Sequence, residues 1–99
     1  MGLDMDISDS KGIELIYMRK QYDIDQYLQE LFDNSNVERD SISRNNFRVF
    51  KKDITNLLKG IKLGEIEISY NRKDEIVSNL TILLSKMNNK EKYYYNYTY

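Results

Sequence analysis

Leu3, Met5 and Ile7 alternate with Asp4, Asp6 and Ser8, the period of two that marks a strand with one buried and one polar face. The pattern predicts a first strand at 2–8, ended by the turn-forming run SDSKG. Tyr17, Ile24, Tyr27, Leu28, Leu31 and Phe32 then recur at spacings of three, four and seven, a helical stripe. It predicts a helix over 17–33, with Asp23 and Gln26 as a capping pair.

Asp33, Asn34, Ser35 and Asn36 have loop chemistry, and Ser43 is placed to cap a second helix. Phe47, Phe50, Ile54, Leu57, Leu58 and Ile61 form its apolar stripe, which predicts a helix over 44–59. Gly60 stands where a left-handed residue would end that helix. Residues 65–70 alternate again as a second strand. Ile76, Val77, Leu80, Leu83, Leu84 and Met87 then describe a third helix over 73–88. Phe47, Ile54, Leu57, Leu80, Leu83 and Leu84 are the expected core.

Five of the chain's nine tyrosines fall in its last seven residues, at Tyr93, Tyr94, Tyr95, Tyr97 and Tyr99. Tyrosine favours strands, and period two sets Tyr93, Tyr95, Tyr97 and Tyr99 against Tyr94, Asn96 and Thr98. The tail therefore reads as a third strand. The predicted order is β-α-α-β-α-β, a single α+β domain over 1–99 with three helices covering one face of a three-stranded sheet. A strand-helix-strand unit at its end favours parallel pairing of the last two strands.

Composition narrows the chemistry. The 99 residues contain no cysteine and no histidine, which removes disulfides, thiolate or imidazole metal sites and thiol or histidine-dependent nucleophiles. Asp4, Asp6 and Asp9 do not make a calcium loop, since the sixth position from Asp4 is Asp9 rather than glycine and the twelfth is Leu15 rather than glutamate. No cofactor and no enzymatic activity are expected. No apolar run approaches the roughly 20 residues of a membrane span, and the first residues are acidic where a signal peptide would be basic. A soluble, intracellular protein with no membrane partner is expected.

Net charge is −1, unevenly spread: residues 1–40 carry ten acids and four bases, whereas 41–62 carry one acid and six bases. On a helix at 44–59, Arg44, Arg48, Lys51, Lys52 and Lys59 flank the apolar stripe. This basic face is a candidate contact for an acidic protein surface, a candidate contact for nucleic-acid phosphate, or a solvated face. The low isoelectric point of about 5.4 weighs against nucleic acid. Base stacking by the tail would need interleaved bases, and none follow Lys92. Arg44, Arg48, Lys51, Lys52, Tyr94 and Tyr97 are the candidate partner contacts, and a homodimer paired through the C-terminal strand is the expected mode of self-association.

MGLDM at 1–5, YMRKQYDIDQYL at 17–28 and YYYNYTY at 93–99 resemble a group of small phage and prophage proteins of unknown function. That group tends to open with MGLDM, to carry a Tyr-Trp-Arg-Lys stretch, and to end in a tyrosine-rich strand. Met18 replaces its tryptophan and Asp25 a common histidine, so no role of that histidine carries over. The resemblance implies a mobile-element origin, a similar fold and a cytoplasmic setting in the host. The function expected is non-enzymatic inhibition of a host protein, such as a bacterial defence component in the manner of an anti-CRISPR. The alternative is a small nucleic-acid-binding regulator using the basic helix.

Overall fold

The computed structural model describes residues 2–34, 45–68 and 73–99. The first alternating run forms β1 (Asp4–Asp9), and β2 (Glu14–Arg19) returns antiparallel beside it. Asp9 makes the turn: its Oδ1 accepts the N–H groups of Lys11 and Ile13 at 2.9 and 3.0 Å, and Gly12 supplies a positive φ of 82°. Met5 lies opposite Met18 and Ile7 opposite Ile16. The register shifts between Ile7 and Ser8, leaving Leu15 as an extra residue on β2.

A helix over 17–33 is thus corrected at its start. Tyr17 and Met18 belong to β2, and α1 covers Tyr22–Asn34. The seven-residue interval from Tyr17 to Ile24 fits a helix, but Ile16 and Met18 also alternate with Tyr17 and Arg19, and pairing to β1 selects that second period. Lys20, at φ 59°, breaks the backbone between the two elements. Asp23 lies inside the first turn of α1, where its charge complements the helix dipole. The carbonyl of Gln21, one residue before the helix, accepts the N–H of Asp25 at 3.0 Å.

The expected helix over 44–59 divides into β3 (Asn46–Val49) and α2 (Lys51–Lys62). Phe47 and Val49 face the core as alternate strand residues, paired with Tyr95 and Tyr93. Arg44 and Ser43 lie outside the described residues. Gly60 is interior to α2, and the left-handed residue is Gly64 at φ 76°. Gly64 N–H donates to Ile61 O at 3.2 Å and Glu65 N–H to Gly60 O at 2.9 Å, a Schellman ending.

This ending accounts for Glu65 and Ile66, so residues 65–68 are not a strand; residues 69 and 70 lie outside the described residues. α3 (Lys73–Lys86) leads to β4 (Tyr93–Thr98). The sheet has four strands in the order β2-β1-β4-β3, and every pairing is antiparallel. The parallel pairing expected of the last two strands is corrected: the strand before β4 is β3, joined to it through two helices, α2 and α3, rather than the single-helix crossover the rule describes, and the pair is antiparallel. The tyrosine tail is central, hydrogen-bonded to both β1 and β3. A homodimer through the C-terminal strand therefore has no free edge to use.

The architecture is α+β, with the three helices and one face of the sheet sharing a core. Leu3, Met5, Ile7, Tyr93 and Tyr95 from the sheet meet Ile24 and Leu28 of α1, Ile54, Leu57 and Ile61 of α2, and Ile76, Leu80 and Leu83 of α3. Each fully buried aliphatic side chain there contributes about 1.5–3 kcal/mol. Of the expected core residues Leu84 alone is half-buried. An aromatic row runs along the inner face: Phe32 stacks on Phe47 at 4.6 Å, Phe47 meets Tyr95 edge-on at 5.4 Å, and Tyr95, Tyr97 and Tyr99 follow.

Candidate functional site

The junction between β3 and α2 gathers the basic side chains. Phe50 has extended backbone at φ −106° and ψ 155°, which ends the strand and starts the helix in one residue. A phenyl ring cannot accept the orphan N–H groups of the first turn, but the buried carboxylate of Asp53 accepts the Phe50 N–H at 2.8 Å, half of a capping box. The short junction places Arg48, Phe50, Lys51 and Lys52 together. The Arg48 guanidinium lies 4.5 Å from the Phe50 ring centroid and the Lys52 ammonium 5.6 Å from it. Two cations thus share one aromatic ring.

The α3–β4 connection forms the opposite wall. Asn88 Oδ1 accepts the N–H groups of Lys90 and Glu91, both at 2.8 Å, and the Asn88 N–H donates to the Tyr93 hydroxyl at 2.8 Å. These bonds fix a turn whose residues Asn88, Asn89 and Glu91 face Arg48, Phe50, Lys51 and Lys52 across a groove of about 190 Å³. Three cations, one aromatic ring and two amides outweigh the single carboxylate of Glu91, so the groove is net positive and can take a carboxylate or phosphate through charge-assisted hydrogen bonds.

The structure redistributes the sequence-derived contacts. Arg48 is a half-buried strand residue rather than a helical one; Lys51 is half-buried and Lys52 exposed. Tyr94 lies directly opposite Arg48 in the sheet and is 7% exposed, so it supports the rim from within rather than meeting a partner. Tyr97 is half-buried on the other face, stacked on Tyr95 with centroids 5.3 Å apart. Tyr94 and Tyr97 therefore do not share a surface. Lys59 lies seven residues beyond Lys52, roughly two helical turns along α2.

A second polar cluster, not singled out from the sequence, occupies the outer face of the sheet. Asn96 Nδ2 donates to Asp6 Oδ1 at 2.6 Å and to Ser8 Oγ at 2.9 Å, while Asn46 Nδ2 donates to Asn96 Oδ1 at 3.2 Å. Asp4 accepts the Tyr17 hydroxyl at 2.5 Å and lies 3.8 Å from Arg19. The N-terminal aspartates are thus separately engaged: Asp4 and Asp6 in these cross-strand bonds, Asp9 in its turn. The cluster's sequence signals were the alternation that puts Asp4, Asp6 and Ser8 on one face of the first strand and Asn96, a lone amide among tyrosines.

Asp25 is the other polar group missed. It is 6% exposed and accepts hydrogen bonds from the hydroxyls of Tyr95 and Tyr99, with Gln29 Nε2 at 3.4 Å. Its signal was an acid three residues before Leu28, on the flank of the apolar stripe. Among the described residues no group of three acidic side chains is placed to hold a metal ion, and no helix is long and apolar enough to cross a membrane. Comparisons with protein-family models, with curated proteins and with solved structures gave no match.

Proposed function

We propose that this chain is a non-enzymatic binding protein whose contact surface is the rim formed by Arg48, Phe50, Lys51 and Lys52, and that its partner presents an acidic protein surface. The observation that carries this reading is the convergence of Arg48 and Lys52 on the Phe50 ring beside Lys51. Aromatic and arginine side chains are the types that dominate binding energy at protein interfaces, and a clustered charge speeds encounter with an opposite one.

Binding rather than catalysis is supported by how the titratable groups are used. The chain has neither histidine nor cysteine, and Asp4, Asp6 and Asp25 hold cross-strand or core hydroxyls and amides. The biological setting rests on the resemblance of MGLDM, YMRKQYDIDQYL and YYYNYTY to small phage proteins. On that basis the partner is a host protein inside the bacterial cell, and the consequence of binding is inhibition of a defence system, as by an anti-CRISPR.

The test is an affinity capture from bacterial lysate with mass spectrometry, using the parent and Lys51→Glu with Lys52→Glu. Both side chains stand at the start of α2, so the fold should survive the change. The parent should retain a partner that the double variant loses. Equal retention by both would overturn the proposed surface. Retention of duplex DNA or RNA that falls steeply with salt would instead favour the nucleic-acid regulator.

A further inference from the structure

Among the described residues β2 is an edge strand: it pairs with β1 on one side, and no strand is hydrogen-bonded to its outer side. The Lys20 N–H donates to Leu3 O at 2.7 Å. Alternation along the ladder then directs the backbone groups of Met18 and Ile16 toward β1 and those of Arg19 and Tyr17 outward. Edges are commonly blunted by proline or by a covering element. β2 has no proline; it carries the bulge at Leu15 and the charge of Arg19, with that of Lys20 following, and α3 approaches it, with Lys86 Nζ 3.4 Å from Leu15 O.

We propose that β2 is a self-association edge, and that two copies of the chain join their β2 strands antiparallel about a two-fold axis at Tyr17, fusing their sheets. The order of charges along the strand selects this occupant. Glu14 stands at its start, with Arg19 and Lys20 at its end. Pairing centred on Tyr17 brings the Glu14 end of each copy beside the Arg19–Lys20 end of the other, and Glu14, opposite Ser8, shares the outer face with Arg19, opposite Asp4. A parallel mate of the same sequence would set like charges together.

The centre follows from geometry as well. An axis at Ile16 would set Met18 against Glu14, and one at Met18 would set Ile16 against Lys20, each placing a charge beside an apolar residue. One at Leu15 meets the bulge, and one at Arg19 runs the ladder past Lys20, whose φ is 59°. With the axis at Tyr17, the two Tyr17 rings, each 52% exposed, come side by side on the outer face. Half-buried Ile16 comes opposite Met18 of the second copy on the inner face, so the apolar layer continues across the join.

The chain lacks cysteine, so Tyr17→Cys provides a single clean reporter. Residues facing each other in a hydrogen-bonded antiparallel pair have Cα atoms about 5.5 Å apart, a separation a disulfide spans. Sedimentation should show a concentration-dependent dimer for the parent. Oxidation should cross-link Tyr17→Cys but not Thr55→Cys, on the exposed side of α2. Glu14→Lys should shift the protein to monomer, and adding Arg19→Glu with Lys20→Glu to that chain should restore the dimer. Circular dichroism verifies that each variant is folded. A parent monomeric at every soluble concentration, a dimer indifferent to Glu14→Lys, or equal cross-linking at both cysteine positions would each overturn the proposal.

Discussion

The hydroxyl of Tyr95 donates a hydrogen bond to Oδ1 of Asp25, 70 residues earlier in the chain, inside the core between α1 and β4. The hydroxyl of Tyr99 takes the other carboxylate oxygen. A buried carboxylate is costly unless its lone pairs are satisfied, and these two tyrosines provide that while fastening the C-terminal strand to the first helix.

Tyr95→Phe should accordingly destabilise the protein by about 1–3 kcal/mol, because it leaves one oxygen of a buried acid short of a donor. Tyr99→Phe should cost less, since Tyr99 is 58% exposed and water can replace it. Urea unfolding of the two variants against the parent measures both. A Tyr95→Phe protein as stable as the parent would remove the clamp from the account.

The same contacts set the alkaline limit. Burial, then the hydrogen bond to Asp25 and the charge of that carboxylate, push Tyr99 up to about 12 and Tyr95 higher still. An unfolded phenol ionises near its ordinary value of about 10. A folded-state pKa raised above that value gives stability that is complete below pH 10 and is lost as pH climbs toward 12. Unfolding midpoints across this window should fall, with phenolate absorbance appearing in step with unfolding. In a Tyr95→Phe/Tyr99→Phe chain the decline should be shallower; identical declines would assign it to other groups.

Gly60 is a packing residue. A Cβ there would lie 2.7 Å from Ile66 Cδ1 and 3.0 Å from its Cγ1. The Ile66 N–H is bonded to the Gly60 carbonyl at 3.2 Å, which holds the Ile66 backbone in place, so its side chain must change rotamer to make way. Gly60→Ala should therefore destabilise by about 1 kcal/mol, despite the similar gain that alanine gives in a helix. With Ile66→Ala in the background the sign should reverse, which a double-mutant cycle by chemical denaturation reads directly.

Removal of residues 93–99 should abolish cooperative folding, not trim it. β4 is hydrogen-bonded to β1 and β3 and supplies Tyr93 and Tyr95 to the core, so its loss leaves β3, among the described strands, without a neighbour and β1–β2 as a two-stranded hairpin, marginal in water. Thermal melting followed by circular dichroism checks this. A sigmoidal melt at the parent temperature would show that the domain does not depend on its last strand.

By itself the sequence determined the local elements whose patterns had only one solution. Leu3, Met5 and Ile7 read as a strand, the Ile54–Leu57–Ile61 and Ile76–Leu80–Leu83 stripes as helices, and the tyrosines as a strand with alternating faces; an α+β domain followed. Tertiary structure decided the ambiguous stretches. Tyr17–Met18 and Phe47–Val49 fit a helical spacing and a period of two equally well, and the neighbour each pairs with, β1 or β4, resolved them. Those neighbours are distant in sequence: Phe47 faces Tyr95. Periodicity records which side chains are apolar within a few residues, whereas strand pairing is a long-range choice. That choice moved the tail from the edge to the centre of the sheet and turned Arg48 from a helical cation into a strand residue beside the Phe50 ring.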